Sequence, residues 1–254
     1  MAGKEERKFE GFLPQTFKFF RQLKAHDNKA WFEVHRGDYE TYALQPLRDL
    51  VVDLGEFMLT IDPDFDITPA INKTISRIYR DTRFSADKSL FKTAMWISFS
   101  RPSVEWVDNP GFFFEISGNF YRYGMGMYSA SAKTMAKFRE LIDEDARKVS
   151  RLIGFYSRQK VFEVGGERYK RILDETKPEK IQEWYQLRNM YLMSTRKIEK
   201  RLFSPKLVDE IKGDFKIAVP LYNFLREAKN RVGGKGGFSS SEVVRFKILR
   251  KKRK

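Results

Sequence analysis

Residues 111–128, GFFFEISGNFYRYGMGMY, determine the fold class that we predict for this chain. Two runs rich in aromatic residues flank Gly118-Asn119, a dipeptide that is typical of a tight turn. The stretch therefore predicts two antiparallel strands. Upstream, residues 96–100 (WISFS) alternate the apolar Ile97 and Phe99 with Trp96, Ser98 and Ser100, which predicts a third strand.

Helical patterns lie on both sides of these strands. The clearest one follows Pro46, where apolar residues recur on one helical face: Leu47, Leu50, Val51, Leu54, Phe57 and Met58. Other helices are predicted to begin at Pro14, near Ser131, at Pro178 and after Ser204-Pro205.

Three further features complete the predicted secondary structure. Pro220 should kink or restart the last helix. Residues 160–171, KVFEVGGERYKR, predict a hairpin around Gly165-Gly166, and residues 189–194, NMYLMS, predict a strand. Strands and helices do not alternate regularly. The prediction is therefore an α+β fold with a largely antiparallel central sheet flanked by helices at both chain ends.

Composition narrows the classes of function. The chain has 254 residues and no cysteine, which excludes disulfides, thiolate metal sites and cysteine nucleophiles. His26 and His35 lack the spacing of a helical metal pair, so we predict no metal and no cofactor. No run approaches the roughly 18 apolar residues of a membrane span, and the charged start MAGKEERKFE does not resemble a signal peptide. We therefore predict a cytoplasmic protein without a membrane partner.

The net charge of +15 is concentrated at the C-terminal end, where residues 229–254 contain ten Lys or Arg and one acid. VGGKGGFSSS, residues 232–241, has the composition of a flexible linker. We predict one globular α+β domain over residues 1–231, and a flexible Gly/Ser linker with a basic tail over 232–254. The tail suggests weak binding to nucleic acid; the alternative is an end that only improves solubility.

The candidate site is RIYRDTRFSADKSLFK, residues 77–92, which places three arginines, two lysines and two aspartates among large apolar side chains. Arginine binds phosphate or carboxylate through a planar, bidentate fork. We therefore predict a site for an anionic small molecule, with Asp81 or Asp87 as an orienting group or general base. Its residues are Arg77, Arg80, Asp81, Arg83, Asp87 and Lys88. No nucleophile–base pair is evident, so no catalytic residue is assigned.

The local conformation of this stretch is left open. In a helix, Arg77, Arg80, Asp81 and Phe84 would share a face; in an extended chain, Arg77, Asp81 and Arg83 would share one side. Arg80 should be at least half buried against a carboxylate or an anion-sized cleft, because an unpaired buried charge is costly. The alternative function is structural or adaptor-like. The charges would then be an ion-pair network that pins the loop to the core through Ile78, Tyr79, Phe84 and Phe91.

The same stretch resembles the signature of an uncharacterised family, Domain of Unknown Function 2461. That signature is Arg-x-x-Arg-Asp-x-Arg-Phe followed by Asp/Asn-Lys, and it is matched in order by Arg77, Arg80, Asp81, Arg83, Phe84, Asp87 and Lys88. Phe91 stands where the family usually has tyrosine, which removes a hydroxyl. The resemblance extends to NKAWF (28–32) and PEKIQEWYQLRNMYL (178–192) and covers residues 12–228. It implies a family and no activity.

Two weaker patterns complete the candidates. Asp62, Asp64 and Asp66 alternate as ligands of Ca²⁺ or Mg²⁺ can, but Ile67 and Lys73 stand where an EF-hand loop needs Gly and Glu. Solvated loop acids are the favoured interpretation. Gly124 and Gly126 are predicted to relieve a strand bend, and this region, with Tyr121, Tyr123 and Tyr128, is a candidate wall of the anion site.

Overall fold

The computed structural model describes residues 8–83, 86–103 and 106–233, without the side chain of Trp106. Within these residues the predicted α+β fold is confirmed, with helices before, between and after the strands of one antiparallel sheet. Most of the linker and all of the basic tail lie outside the described residues. Their flexibility and the nucleic-acid-binding role of the tail therefore stay predictions.

The sheet has the strand order β1-β2-β3-β5-β4. The strands are β1 (Ala94–Phe99), β2 (Gly111–Ser117), β3 (Phe120–Gly126), β4 (Glu163–Gly165) and β5 (Tyr191–Lys197). Each neighbouring pair is antiparallel, and the Gly118-Asn119 turn joins β2 to β3 as predicted. Alternate residues of β1 and β2 are buried, as expected for a sheet with one face against the core.

The helices pack against this sheet and against one another. They are α1 (Pro14–Ala25), α2 (Lys29–Val34), α3 (Arg36–Asp38), α4 (Gln45–Ile61), α5 (Ala132–Glu144), α6 (Ala146–Arg158), α7 (Glu179–Tyr185) and α8 (Lys206–Val232). A π-helical segment, Tyr39–Leu44, connects α3 to α4. No helix in the described part of the chain combines the length and apolar character that a membrane span requires.

Local signals account for most helix ends. Asn28 caps α2 by accepting a hydrogen bond from the backbone N–H of Trp31, and Ser131 caps α5 by accepting one from Thr134. Asp145 ends α5 and begins α6, where its carboxylate accepts from the N–H of Lys148. The apolar stripe of α4 is buried as predicted, apart from Phe57, which is partly exposed.

The predicted hairpin around Gly165-Gly166 is wrong. Its first arm forms β4, but β4 pairs with β5 and not with residues 167–171. The physical reason is the difference between the two segments that could pair with β4, which are β5 and residues 167–171. Tyr191, Leu192 and Met193 offer apolar side chains across the pair, whereas ERYKR carries charges at four of its five positions and has no apolar face to bury.

Helix α8 continues past Pro220 as one element, so the predicted restart does not occur. The hydroxyl of Tyr156, on α6, inserts into the hydrogen-bond ladder at this point. It donates to the carbonyl of Ile217 (2.9 Å) and accepts from the N–H of Leu221 (3.2 Å), two groups that would bond to each other in a regular helix. The tyrosine hydroxyl therefore provides hydrogen-bond partners for two backbone groups next to the proline, where the helical pattern is disturbed.

Gly124 permits the close approach of β3 and β5. It lies opposite Met193 in the ladder, and a Cβ at this position would overlap the backbone carbonyl oxygen of Leu192. The glycine is therefore required by strand packing, which replaces the predicted role of relieving a bend.

Candidate functional site

The stretch at residues 77–92, called the signature loop below, is extended at both ends. Arg80 donates its backbone N–H to the carbonyl of Leu90, and Lys92 donates to that of Ile78. These bonds flank a bridge between Tyr79 and Phe91. The ends of the loop are thus held together like a short two-stranded ribbon, which excludes the helical alternative for residues 78–80.

A carboxylate from another part of the chain fixes this ribbon. Asp27, between α1 and α2, accepts hydrogen bonds from the backbone N–H groups of Leu90 (2.9 Å) and Phe91 (3.0 Å). Phe91 is buried and stacks on Phe32 of α2 with ring centroids 4.6 Å apart. The predicted anchoring to the core is confirmed for Ile78 and Phe91, which are buried, whereas Tyr79 remains 41% exposed. Phe84, the fourth predicted anchor, lies outside the described residues.

Arg80 is the best-held cation of the signature loop. Its side chain is 25% exposed, and its guanidinium lies 3.0 Å from the carboxylate of Asp87 and donates to the hydroxyl of Ser89. The prediction that Arg80 is at least half buried and contacts a carboxylate is therefore confirmed. The carboxylate of Asp87 also accepts from the backbone N–H of Ser89, which holds the pKa of Asp87 below its usual value.

Arg83 and Asp81 form a separate pair at the tip of the loop. Two nitrogens of the guanidinium donate to the two carboxylate oxygens, at 3.0 and 2.7 Å, and these bonds hold the pKa of Asp81 well below its usual range. The Lys88 ammonium donates to the carbonyl of Thr82. The loop thus divides its two carboxylates between two arginines instead of placing several guanidinium groups around one carboxylate.

Lys92 lies near Arg80, and Arg77 in turn lies near Lys92. Neither Lys92 nor Arg77 forms an ion pair within the described residues, although Arg77 contributes to the low pKa of Asp81. The ammonium of Lys92 sits over the ring of Trp96, 4.3 Å from its centroid. Partial burial, and then the charges of Arg77 and Arg80, lower the pKa of Lys92. Sequence analysis missed Lys92, whose position just after the signature gave no signal of this contact.

The three aspartates at residues 62–66 do not share one environment. Asp62 is fully buried, so the interpretation as solvated loop acids is wrong for it. Arg101 donates to both of its oxygens at 2.9 Å, and Tyr222 and Arg226 also bind it. Burial raises the pKa of Asp62, but the hydrogen bonds from Arg101 and Tyr222 lower it further, so the pKa is lowered overall.

The remaining acids of that stretch are accessible. Asp64 is 60% exposed and pairs with the same Arg101, at 2.8 Å, while Asp66 accepts from the backbone N–H of Thr68. Within the described ranges, no group of three or more His, Asp or Glu side chains is arranged to hold a metal ion.

The candidate tyrosine wall does not form beside the signature loop. Tyr121 and Tyr123 are fully buried on β3, and their hydroxyls donate to Glu199 (2.7 Å) and Asp214 (2.6 Å). Neither hydroxyl bonds to a described residue of the loop. Tyr128 is 79% exposed.

Comparison with known proteins gives a family and no function. The family described as "Conserved hypothetical protein (DUF2461)" matches residues 15–224. No curated protein matches the chain.

Proposed function

This chain belongs to the DUF2461 family, and we propose that it binds a small anionic ligand through a phosphate or carboxylate group at the signature loop. The observation that carries the proposal is the grouping of Arg77, Arg80 and Lys92, of which only Arg80 pairs with a carboxylate among the described residues, that of Asp87. The bound anion would lie against these cations, with the Asp81–Arg83 pair and Lys88 along the outer part of the loop.

Charge balance supports this assignment. Three cations and one carboxylate leave two positive charges without compensation, and one of the cations, Lys92, is partly buried. Cations held together in a partly desolvated place repel each other: burial lowers the pKa of Lys92 most, and the charges of Arg77 and Arg80 lower it further. An oxyanion would remove this repulsion and accept hydrogen bonds from groups that the fold already holds near one another.

The way the site is built also favours binding. The carboxylate of Asp87 and the hydroxyl of Ser89 orient the Arg80 guanidinium, while Asp27 fixes the backbone at Leu90 and Phe91. A site whose donors are held before the ligand arrives loses less conformational entropy on binding. Asp87 serves here as the orienting group, which is one of the two roles considered for it from the sequence.

Replacing Lys92 should weaken anion binding. In Lys92→Met the apolar stem over Trp96 is kept and the charge is lost, so affinity for inorganic phosphate should fall at least about tenfold, or about 1.4 kcal/mol. Titration calorimetry with inorganic phosphate at constant ionic strength measures the change. Lys133→Met is the matched control, because Lys133 is exposed on α5 and should leave affinity unchanged. Absence of saturable phosphate binding, or equal loss in both variants, would contradict the proposal.

Lys92 should also make the free energy of unfolding vary with pH in the alkaline range. Its folded-state pKa lies below 10.5, the usual value, so the unfolded chain binds more protons between the two pKa values. The free energy of unfolding of the wild type should therefore rise relative to Lys92→Met as pH increases through that interval. Urea denaturation of both proteins from about pH 8 to pH 10.5 measures it. A constant difference would show that neither burial nor the charges of Arg77 and Arg80 lower the pKa of Lys92 in the folded protein.

A further inference from the structure

A cavity of about 660 Å³ lies where β4 and β5 separate. The two strands pair only from Glu163 opposite Met193 to Gly165 opposite Tyr191, whereas β5 continues to Lys197. The cavity is lined on one side by the segment that precedes β4 and on the other by the second half of β5. The sheet therefore has a gap beside residues 194–197 of β5.

Backbone groups of β5 face this gap. The N–H of Met127 donates to the carbonyl of Met190 at the β3 side, so by alternation the even-numbered residues of β5 bond to β3. Thr195 and Lys197 then direct their N–H and C=O groups to the other edge. No hydrogen bond of these groups to any described residue is found there, so the edge can accept a further strand.

A glutamine side chain explains why β4 does not extend to residues before Glu163. Gln159, at the end of α6, accepts with its amide oxygen from the backbone N–H groups of Val161 (2.9 Å) and Phe162 (2.8 Å). Its amide nitrogen donates to the carbonyl of Phe162. The backbone before β4 is therefore turned onto Gln159 and cannot continue the ladder along Thr195. The gap is a built feature of the fold.

Beneath the gap, on the α8 side of the sheet, lies an ionic cluster with an excess of carboxylates. Arg196 contacts Glu210 (2.7 Å) and Asp214 (3.3 Å), and Arg201 contacts Glu210 (2.9 Å). Glu199, which accepts from Tyr121, lines the cavity together with Arg196 and is 48% exposed. Three carboxylates and two guanidinium groups leave one negative charge in this cluster. The cavity is also lined by Lys160 and Glu163, which have opposite charges, and by Lys197, whose side chain lies on the face of β5 opposite to Arg196 by strand alternation.

We propose that this gap binds an extended peptide segment of a partner protein that carries a lysine or arginine. The segment would add a strand to the edge at Thr195 and Lys197, with its main chain supplying the missing hydrogen bonds. Side chains of an added strand alternate between the two faces, so one basic residue would point toward Glu199 and the excess negative charge. The exposed edge sets the length at about four paired residues.

The test uses the full-length protein and a capped heptapeptide of alternating threonine and valine with lysine at its centre. Binding should slow hydrogen exchange of the Thr195 and Lys197 amides at least about tenfold at saturation, measured by NMR. A peptide with central glutamate should bind at least about tenfold more weakly, and one with central proline, which lacks a donor, should not bind.

A protein variant tests the same edge independently. Thr195→Pro removes the N–H that faces the gap and leaves the bonds of Ser194 and Arg196 to β3, so peptide binding should be lost. Thr195→Ala is the matched control and should bind as the wild type does. The proposal is overturned if the lysine peptide fails to protect the two amides or if Thr195→Pro binds normally. Amides already protected without peptide would show that the chain itself fills the gap, which also overturns it.

Discussion

Asp62→Asn is expected to lower the free energy of unfolding by about 3 kcal/mol or more. Asp62 is fully buried and holds Arg101, Arg226 and Tyr222, so it joins the end of α4 and the segment after β1 to α8. Asparagine keeps the volume but removes the charge, which leaves two partly buried guanidinium groups facing a neutral amide. Urea denaturation monitored by circular dichroism gives the free energy directly.

Asp64→Asn is the matched control for this prediction. Asp64 pairs with the same Arg101, but it is 60% exposed, and solvent screens such a pair. Its loss should cost about 0–1 kcal/mol. If the two variants are equally destabilised, burial of the carboxylate is not what makes Asp62 important; if neither is, the buried ion pair contributes no net stability.

Gly124→Ala is expected to destabilise the protein by about 3 kcal/mol. The added Cβ would overlap the carbonyl oxygen of Leu192, a backbone atom that cannot move without displacing β5. The substitution should weaken the pairing of β3 with β5, on which the position of β4 also depends. Thermal and urea unfolding measure the loss, and hydrogen exchange in β5 should accelerate with it.

Replacement of Gly213 by alanine should change the free energy of unfolding in the opposite direction. Gly213 is exposed within α8, and apart from its chain neighbours and the backbone of its own helix no described atom lies within 4 Å of the position that its Cβ would take. Alanine favours the helix over glycine by about 1 kcal/mol, so Gly213→Ala should stabilise. A loss of similar size in both variants would mean that the effect at Gly124 is not a clash between strands.

Local patterns predicted most of the secondary structure. The stripe of α4, the turn at Gly118-Asn119 and the helix start at Ser131 depend on neighbours within a few positions, so their signals are complete in the sequence. The error at Gly165-Gly166 has the opposite cause, because the partner of β4 lies in β5, outside any local window.

The candidate site was predictable only in part. The partial burial of Arg80 followed from its apolar neighbours, and its contact with Asp87 spans seven positions. The burial of Asp62 could not be predicted from its neighbours in the sequence, because its partners Tyr222 and Arg226 come from a helix 160 and more positions away. Lys92 was missed for a similar reason: its environment is set by the pairing of residues 78–80 with 90–92 and by Trp96 on β1.

The hydroxyl of Tyr156 within α8 bears on the order in which the protein is assembled. Until α6 is in place, the N–H of Leu221 and the carbonyl of Ile217 lack the bridge that completes the helix around Pro220. During synthesis the segment of α6 leaves the ribosome before that of α8, so the tyrosine that bridges α8 is already part of the chain when α8 emerges. The unbroken course of α8 past Pro220 therefore depends on a tertiary contact as well as on the residues of the helix itself.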